Sequence, residues 1–167
     1  LTEIQGFSIQ PVGNEDGQQI IDIFNYYVEN SFAAYPDDKA PYEFFDRFQQ
    51  MAQGYPFLVA KSDDGIVLGF GLLRPHSQIP SFSSAAEITI FVSPTHRGGG
   101  VGWGIISALV SEARRLGITA VLASISSLNP ESLKFHRKAG FIECGRFVGI
   151  GKKRGQQFDV VWMQKNL

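Results

Sequence analysis

Arg97-Gly98-Gly99-Gly100-Val101-Gly102 is the segment whose residue types most directly imply a chemistry. It follows the apolar run Glu87-Ile88-Thr89-Ile90-Phe91-Val92 and precedes a helix-like stretch, 101–116. A strand, a glycine turn and a helix start make a cradle for a pyrophosphate. Glycine permits close backbone approach and φ > 0, and the first N–H groups of a helix have no partner inside it and point at an anion. Each charge-assisted hydrogen bond of this kind contributes roughly 1.5–3 kcal/mol, so a few anchor a phosphorylated cofactor without a metal. Glu87, in the otherwise apolar strand before the loop, is a candidate general base, with burial as the means of raising its pKa. His136, further along, is a candidate proton donor or alternative base. The plain alternatives are a flexible glycine turn, a solvated edge-strand glutamate and a histidine that only packs.

Other phosphate loops fit less well. No Gly-Lys-Ser/Thr follows, so this is not a Walker A loop. A Rossmann fingerprint would put its third glycine at Ile105 and an acidic residue about 20 positions on, and neither is present.

Elements to position these residues are readable from periodicity. Residues 7–12 alternate as a first strand. Residues 17–31 are helical, with Ile20, Ile21, Phe24, Tyr27 and Val28 recurring at three and four. A loop at 33–41 leads to a second helix at 42–53. Strands at 57–61 and 66–74 flank the turn Ser62-Asp63-Asp64-Gly65, and a polar loop at 75–84 precedes the central strand, 87–92. A third helix over 100–117 buries Val101, Ile105, Leu109 and Ala113, with Ile106, Val110 and Leu116 widening the face. A buried strand follows at 120–126. Asn129-Pro130-Glu131-Ser132 opens a short helix that Gly140 ends, and strands at 142–150 and 157–164 close the chain. The order β-α-α-β-β-β-α-β-α-β-β predicts an α/β (α+β) domain: one mixed sheet of about seven strands flanked by about four helices, spanning 1–167 without repeat or second domain.

Bulk composition narrows the function. At 167 residues and 44% hydrophobic the chain has material for one core. A net charge of -1 without a basic run argues against nucleic-acid binding. No stretch is apolar enough to span a bilayer and no signal peptide is visible, so the cytoplasm is the expected location and no membrane partner is expected. Cys144 is the single cysteine, which rules out an intrachain disulfide; on a strand it reads as a packed small residue. No metal site is expected.

Arg97-x-x-Gly100-x-Gly102 matches the Arg/Gln-x-x-Gly-x-Gly/Ala loop of the GNAT N-acetyltransferase superfamily. Four segments in order resemble its phosphinothricin/methionine sulfoximine acetyltransferase branch. They are Ile23-Phe24-Asn25-Tyr26-Tyr27-Val28; Glu87-x-Thr89-Ile90-Phe91-Val92-Ser93-Pro94-x-His96; Asn129-Pro130-Glu131-Ser132-Leu133-x-Phe135-His136-x-x-x-Gly140-Phe141; and Gly151-x-Lys153-x-Gly155-x-x-x-Asp159-Val160-x-x-x-Gln164. Three positions depart from the branch. Ile79 and Phe82 stand where it has Arg and Tyr, and Gln157 where it has Trp; Arg74 and His76 lie nearby as substitutes.

The resemblance implies a sheet splayed beside the glycine loop and acetyl-CoA as cosubstrate. Phe91, Val92, Arg97, Gly98, Gly99, Gly100, Val101, Gly102, Asn129 and Ser132 are then the cofactor-binding residues, with His96 a structural or phosphate contact. Glu87 becomes the base that frees a small-molecule amine, and His136 stands where many members place a Tyr to protonate the leaving thiolate. Tyr35, Arg74 and Phe82 are assigned to the acceptor; Tyr26, Tyr27, Phe44 and Phe48 are read as core. Lys152, Lys153 and Arg154 read as a solvated turn or, second, a contact for the 3′-phosphate or an acidic substrate. Asp159 is expected to fix the turn at Gly155 or to bond across a homodimer contact. Transfer is expected to be direct, in a ternary complex, and not through Cys144. Two rivals remain: a polyamine or protein-amine acceptor, for which Asp37, Asp38 and Glu43 would supply acidity, and a CoA-binding sensor without catalysis.

Overall fold

The computed structural model describes residues 2–4 and 6–167, with side chains from Gly6 onward. Eight strands form one sheet in the order β1-β2-β3-β4-β5-β6-β8-β7: β1 (Thr2–Ile4), β2 (Phe7–Pro11), β3 (Phe57–Lys61), β4 (Val67–Pro75), β5 (Ala85–Val92), β6 (Ala120–Ser126), β7 (Ile142–Lys153) and β8 (Gln156–Asn166). Seven match the expected strands; β1 is additional, three residues long and paired antiparallel with β2. Four α-helices complete the chain: α1 (Gly17–Asn30), α2 (Phe45–Met51), α3 (Val101–Arg115) and α4 (Pro130–Lys138). The expected second helix is shorter than its pattern, because a 3-10 turn, Tyr42–Phe44, forms its first part. Another 3-10 turn, Pro80–Phe82, lies in the 75–84 loop.

Helices cover both faces. On one, α3 buries Val101, Ile105, Leu109 and Ala113. It lies close to the sheet because Gly71 of β4 has no side chain: a Cβ there would meet Ile105 Cγ2 at 2.6 Å and Leu109 Cδ1 at 2.9 Å. Leu116, expected on that face, is the helix C-cap and is half exposed. On the other face α1 and α2 pack an aromatic cluster, in which Phe24 meets Phe48 and Phe91 edge-on at 5.3 and 5.5 Å.

Every neighbouring pair of strands is antiparallel except β5 and β6. These run parallel and are paired only from Ala85↔Ala120 to Glu87↔Leu122. Beyond Glu87 they diverge: residues 88–92 stay bonded to β4, and residues 123–126 to β8. The sheet therefore splays, with Glu87 at the apex and the glycine loop at the open end.

The closing hairpin corrects three expectations. Its turn is Arg154-Gly155, with φ of 50° and 79°. Lys153 is not solvated: it is 1% exposed, and its ammonium donates to the carbonyls of Val28, Ser31 and Ala34 at 2.7 Å each. It caps the C-terminal end of α1, whose last carbonyls have no partner inside the helix, and this removes it from any phosphate. Asp159 accepts the N–H of Gly149 at 2.7 Å, not a group at Gly155, and so fixes the irregularity between Phe147 and Gly151. Cys144, expected to be packed, is exposed on β7.

Candidate active site

The open end of the splay is a cleft of about 650 Å³ walled by α1, β5, the glycine loop, and the starts of α3 and α4. Gly98 and Gly100 have φ of +80° and +81°, and a Cβ on either would meet nothing within 4 Å. Space lies in front of both, as a ligand running along the loop requires. Gly100 caps α3 without a side-chain bond, leaving the first N–H groups of that helix free for an anion. Val101 and Gly102 line the cleft at that helix end; Gly99 belongs to the loop but not to the wall.

Phe91 and Val92 also line the cleft, but their backbones face opposite ways. The N–H of Ser93 bonds Leu68 of β4 at 2.8 Å, and strand alternation then turns the N–H and C=O of Val92 away from β4, into the splay. The Val92 carbonyl accepts the Tyr27 hydroxyl at 2.5 Å. Arg97 stacks over the Tyr27 ring at 5.3 Å, donates to its hydroxyl from Nε and Nη2 at 3.3 and 3.2 Å, and pairs with Glu131 at 3.3 Å. Burial raises the Tyr27 pKa, with Arg97 acting in the opposite direction. Tyr27 is thus both core and cleft wall, and Tyr26, expected in the core, is exposed on that wall. His96 sits with Thr95 and Ser93 in the preceding turn.

Asn129 caps α4, its Oδ1 accepting the Ser132 N–H at 3.2 Å. One turn later His136 is buried against Phe135 and Phe141. Its Nδ1 lies 2.9 Å from the Ser132 carbonyl. A carbonyl only accepts, so Nδ1 carries the proton and Nε2 of the neutral ring is an acceptor. Burial lowers the His136 pKa, against a smaller opposite effect of the Ser132 hydrogen bond.

Glu87 lies outside this cleft, on the α1–α2 face of the sheet. It is not an isolated buried carboxyl. Arg74, directly opposite on β4, donates Nε at 3.0 Å and Nη2 at 2.5 Å to Oε2. His76 places Nδ1 2.9 Å from Oε1. The His76 ring meets Phe82 edge-on at 6.0 Å and Trp162 at 6.4 Å. Trp162 is the β8 partner of Ser124, and Tyr35 stacks on Phe158 of the same strand at 5.6 Å. Burial raises the Tyr35 pKa. Arg74, Glu87, Phe82 and Trp162 are therefore joined through His76, and Tyr35 stands beside them on Phe158 of β8. Trp162 escaped the sequence reading as a site residue, alternation along β8 being the available signal once its register is known; His76 was read only as a nearby substitute anchor, without a partner. Among the described residues no three His, Cys, Asp or Glu side chains are grouped as metal ligands.

The fold agrees with what known proteins show. The profile of the Acetyltransferase (GNAT) family matches residues 20–141. The chain is 34% identical to the L-methionine sulfoximine/L-methionine sulfone acetyltransferase of Pseudomonas aeruginosa, over 96% of this chain and 94% of that one. It is 28% identical to the phosphinothricin N-acetyltransferase of Streptomyces viridochromogenes, over 95% and 86%. Among solved structures, a GNAT superfamily phosphinothricin acetyltransferase from Sinorhizobium meliloti, in complex with acetyl-CoA, superposes with a TM-score of 0.90 at 29% identity, covering 97% of this chain and 89% of that one. This chain belongs to the acetyltransferase (GNAT) family. It is an acyltransferase with acetyl-CoA as cosubstrate, and its glycine loop, free helix end and splayed β5 fit that ligand.

Proposed function

We propose that the enzyme acetylates the primary amine of a free amino acid or close analogue, of the methionine sulfoximine or phosphinothricin type, by direct transfer in a ternary complex. The observation that carries this is the apex of the splay. Glu87, the one carboxylate of the acceptor-side group, sits where the free edge of β5 begins, and an arginine is in register beside it. An amine with a pKa of about 10.4 is almost wholly protonated at pH 7, so a base must free its lone pair. Glu87 supplies that base function, directly or through an intermediary. Arg74 Nη1 is not used by Glu87 and is available to the acceptor's carboxylate, replacing the arginine that Ile79 displaces. Phe82, Tyr35 and Trp162 supply apolar walls.

On the cosubstrate side, the loop 97–102 with Asn129 and Ser132 holds the pyrophosphate and pantetheine. The β5 N–H groups that face the splay are those of Ile90 and Val92, and that of Ile90, the nearer to Glu87, polarises the thioester carbonyl. His136 keeps its proton on the Ser132 carbonyl and serves as an acceptor on the cleft wall, so the leaving thiolate takes its proton from the attacking amine.

The polyamine rival is served less well: Glu87 is paired with Arg74, Asp37 accepts the Arg154 N–H at 3.2 Å, and Asp38 and Glu43 are exposed carboxylates. The sensor rival gives Arg74, His76 and Glu87 no task. No helix is long and apolar enough to cross a membrane, and we place the enzyme in the cytoplasm with its cosubstrate; nucleic acid is not among its partners. Its state is a homodimer through edge strand β7, which exposes Phe147, Val148 and Ile150 at 54%, 81% and 65%. Val148→Asp is expected to yield monomers in analytical ultracentrifugation, and an unchanged mass would refute that assembly.

Thiol release from acetyl-CoA, assayed against amino acids, L-methionine sulfoximine, phosphinothricin and spermidine, tests the reading. Turnover confined to amino-acid-type acceptors is expected. Turnover on spermidine alone would transfer the enzyme to the polyamine class, and silence with acetyl-CoA still bound would favour the sensor.

A further inference from the structure

His76 has no part in the loop motif, yet three strands and a turn converge on its ring. Glu87 comes from β5 and Arg74 from β4, through the same carboxylate, while Trp162 comes from β8 and Phe82 from the 80–82 turn. We infer that the proton leaving the acceptor amine is taken by Nε2 of His76, with Glu87 acting as the group that holds and charges the imidazole. This deepens the proposed function and rests on its reading of Glu87 as essential.

The argument is one of donors and acceptors. Arg74 places two N–H donors on Oε2, so Glu87 is held as an acceptor-only carboxylate. The contact between Oε1 and Nδ1 is then a hydrogen bond only if Nδ1 carries the proton. In the neutral ring the lone pair is left on Nε2. Among the described residues Nε2 has no hydrogen-bond partner, and the side chain is 36% exposed. Glu87 is only 13% exposed, and both its oxygens are occupied. Protonating it directly would spend the Arg74 ion pair. Protonating His76 instead creates an imidazolium whose Nδ1–H already points at a carboxylate, the arrangement of base and orienting acid found in activated nucleophile systems.

The step balances without a further reactant. The ammonium of the acceptor gives one proton to Nε2, and its nitrogen lone pair attacks the thioester carbonyl. The C–N bond forms and the C–S bond breaks. The second proton of the attacking nitrogen goes to the departing sulfur, and the proton on His76 passes to solvent. Amide, free thiol and one proton are the products.

The test uses the full chain, acetyl-CoA and L-methionine sulfoximine. In His76→Gln the side-chain amide still donates to Oε1 but offers no basic nitrogen. Its kcat is expected to fall about 10²-fold or more, while the acceptor KM and acetyl-CoA Kd stay within about threefold. In His76→Ala added imidazole is expected to restore part of the rate. A kcat for His76→Gln within about threefold of the parent, with no imidazole rescue of His76→Ala, would overturn the inference and leave Glu87 as the direct acceptor. Full activity in Glu87→Gln would instead overturn the reading beneath it. An independent readout needs no turnover: side-chain 15N spectra of the acetyl-CoA complex should show His76 protonated at Nδ1 and bare at Nε2, with that preference lost in Glu87→Gln. A proton fixed on Nε2 would contradict the inference.

Discussion

Arg74 and Glu87 face each other in register across β4 and β5, and the guanidinium places two N–H groups on a single carboxylate oxygen. The pair lies at the last residue where β5 still bonds β6. Arg74 is therefore a positioning residue for the base as well as a candidate acceptor contact. Arg74→Ala is expected to lower kcat roughly 10²-fold, the scale of a misplaced catalytic group, and to raise the acceptor KM. Arg74→Lys should recover only part of this, since an ammonium does not reproduce the planar fork. Steady-state kinetics of both variants checks it; a fully active Arg74→Lys would reduce Arg74 to a charge.

Gly100 holds φ of +81° with open space where a side chain would go. Gly100→Ala is expected to cost about 1–2 kcal/mol through the left-handed backbone alone. Acetyl-CoA affinity should fall further than stability, because the new methyl stands where the pyrophosphate approaches. Calorimetric titration beside a thermal melt separates the two; equal affinity would move the phosphate elsewhere.

Tyr27→Phe removes the hydroxyl that ties Val92 to Arg97. The Val92 carbonyl loses its donor and Arg97 its anchor. One neutral hydrogen bond contributes about 0.5–1.5 kcal/mol, so a roughly 3- to 10-fold weaker acetyl-CoA Kd is expected. An unchanged Kd would show that Arg97 needs no such support.

His136 is a pH-dependent element of stability. Burial lowers its pKa in the folded chain, so below the ordinary histidine value of about 6.5 the unfolded chain binds the proton more readily. Its contribution is fully present above that value and is lost as pH falls through the folded pKa. Melting curves at pH 7 and 5 should show a larger fall for the parent than for His136→Gln. Identical falls would show that His136 does not titrate differently on folding.

Lys153→Met leaves the carbonyls of Ser31 and Ala34 without their donor, and that of Val28 with Arg154 Nη2 alone. A loss of about 2–4 kcal/mol is expected, read as a Tm lowered by about 4–16 °C at this chain length. The acceptor KM should rise as well, because these carbonyls shape the segment leading to Tyr35. A variant as stable as the parent would show that water replaces the ammonium at no cost.

The strand, glycine loop and helix were legible because phosphate binding constrains local residue types, and Gly98 and Gly100 take the backbone conformations that the run allows. α1 and α3 were legible because their buried faces repeat at three and four residues. β1 was not, since three residues carry no measurable period. The partner of His76 and the burial of Lys153 were not legible, for a different reason. The partner of His76 is fixed by cross-strand register, 11 residues away in sequence. The partners of Lys153 lie 119 to 125 residues away, and a run of three cations on a turn gives no hint that the middle one is buried.

The most direct test of the account is the thiol-release rate of Glu87→Gln beside that of the parent, at saturating acetyl-CoA and L-methionine sulfoximine, with acetyl-CoA Kd measured on the same samples. The account predicts turnover by the parent, a loss of about 10²- to 10⁴-fold in the variant, and an unchanged Kd. Equal rates for the two proteins would contradict it and remove Glu87 from the chemistry.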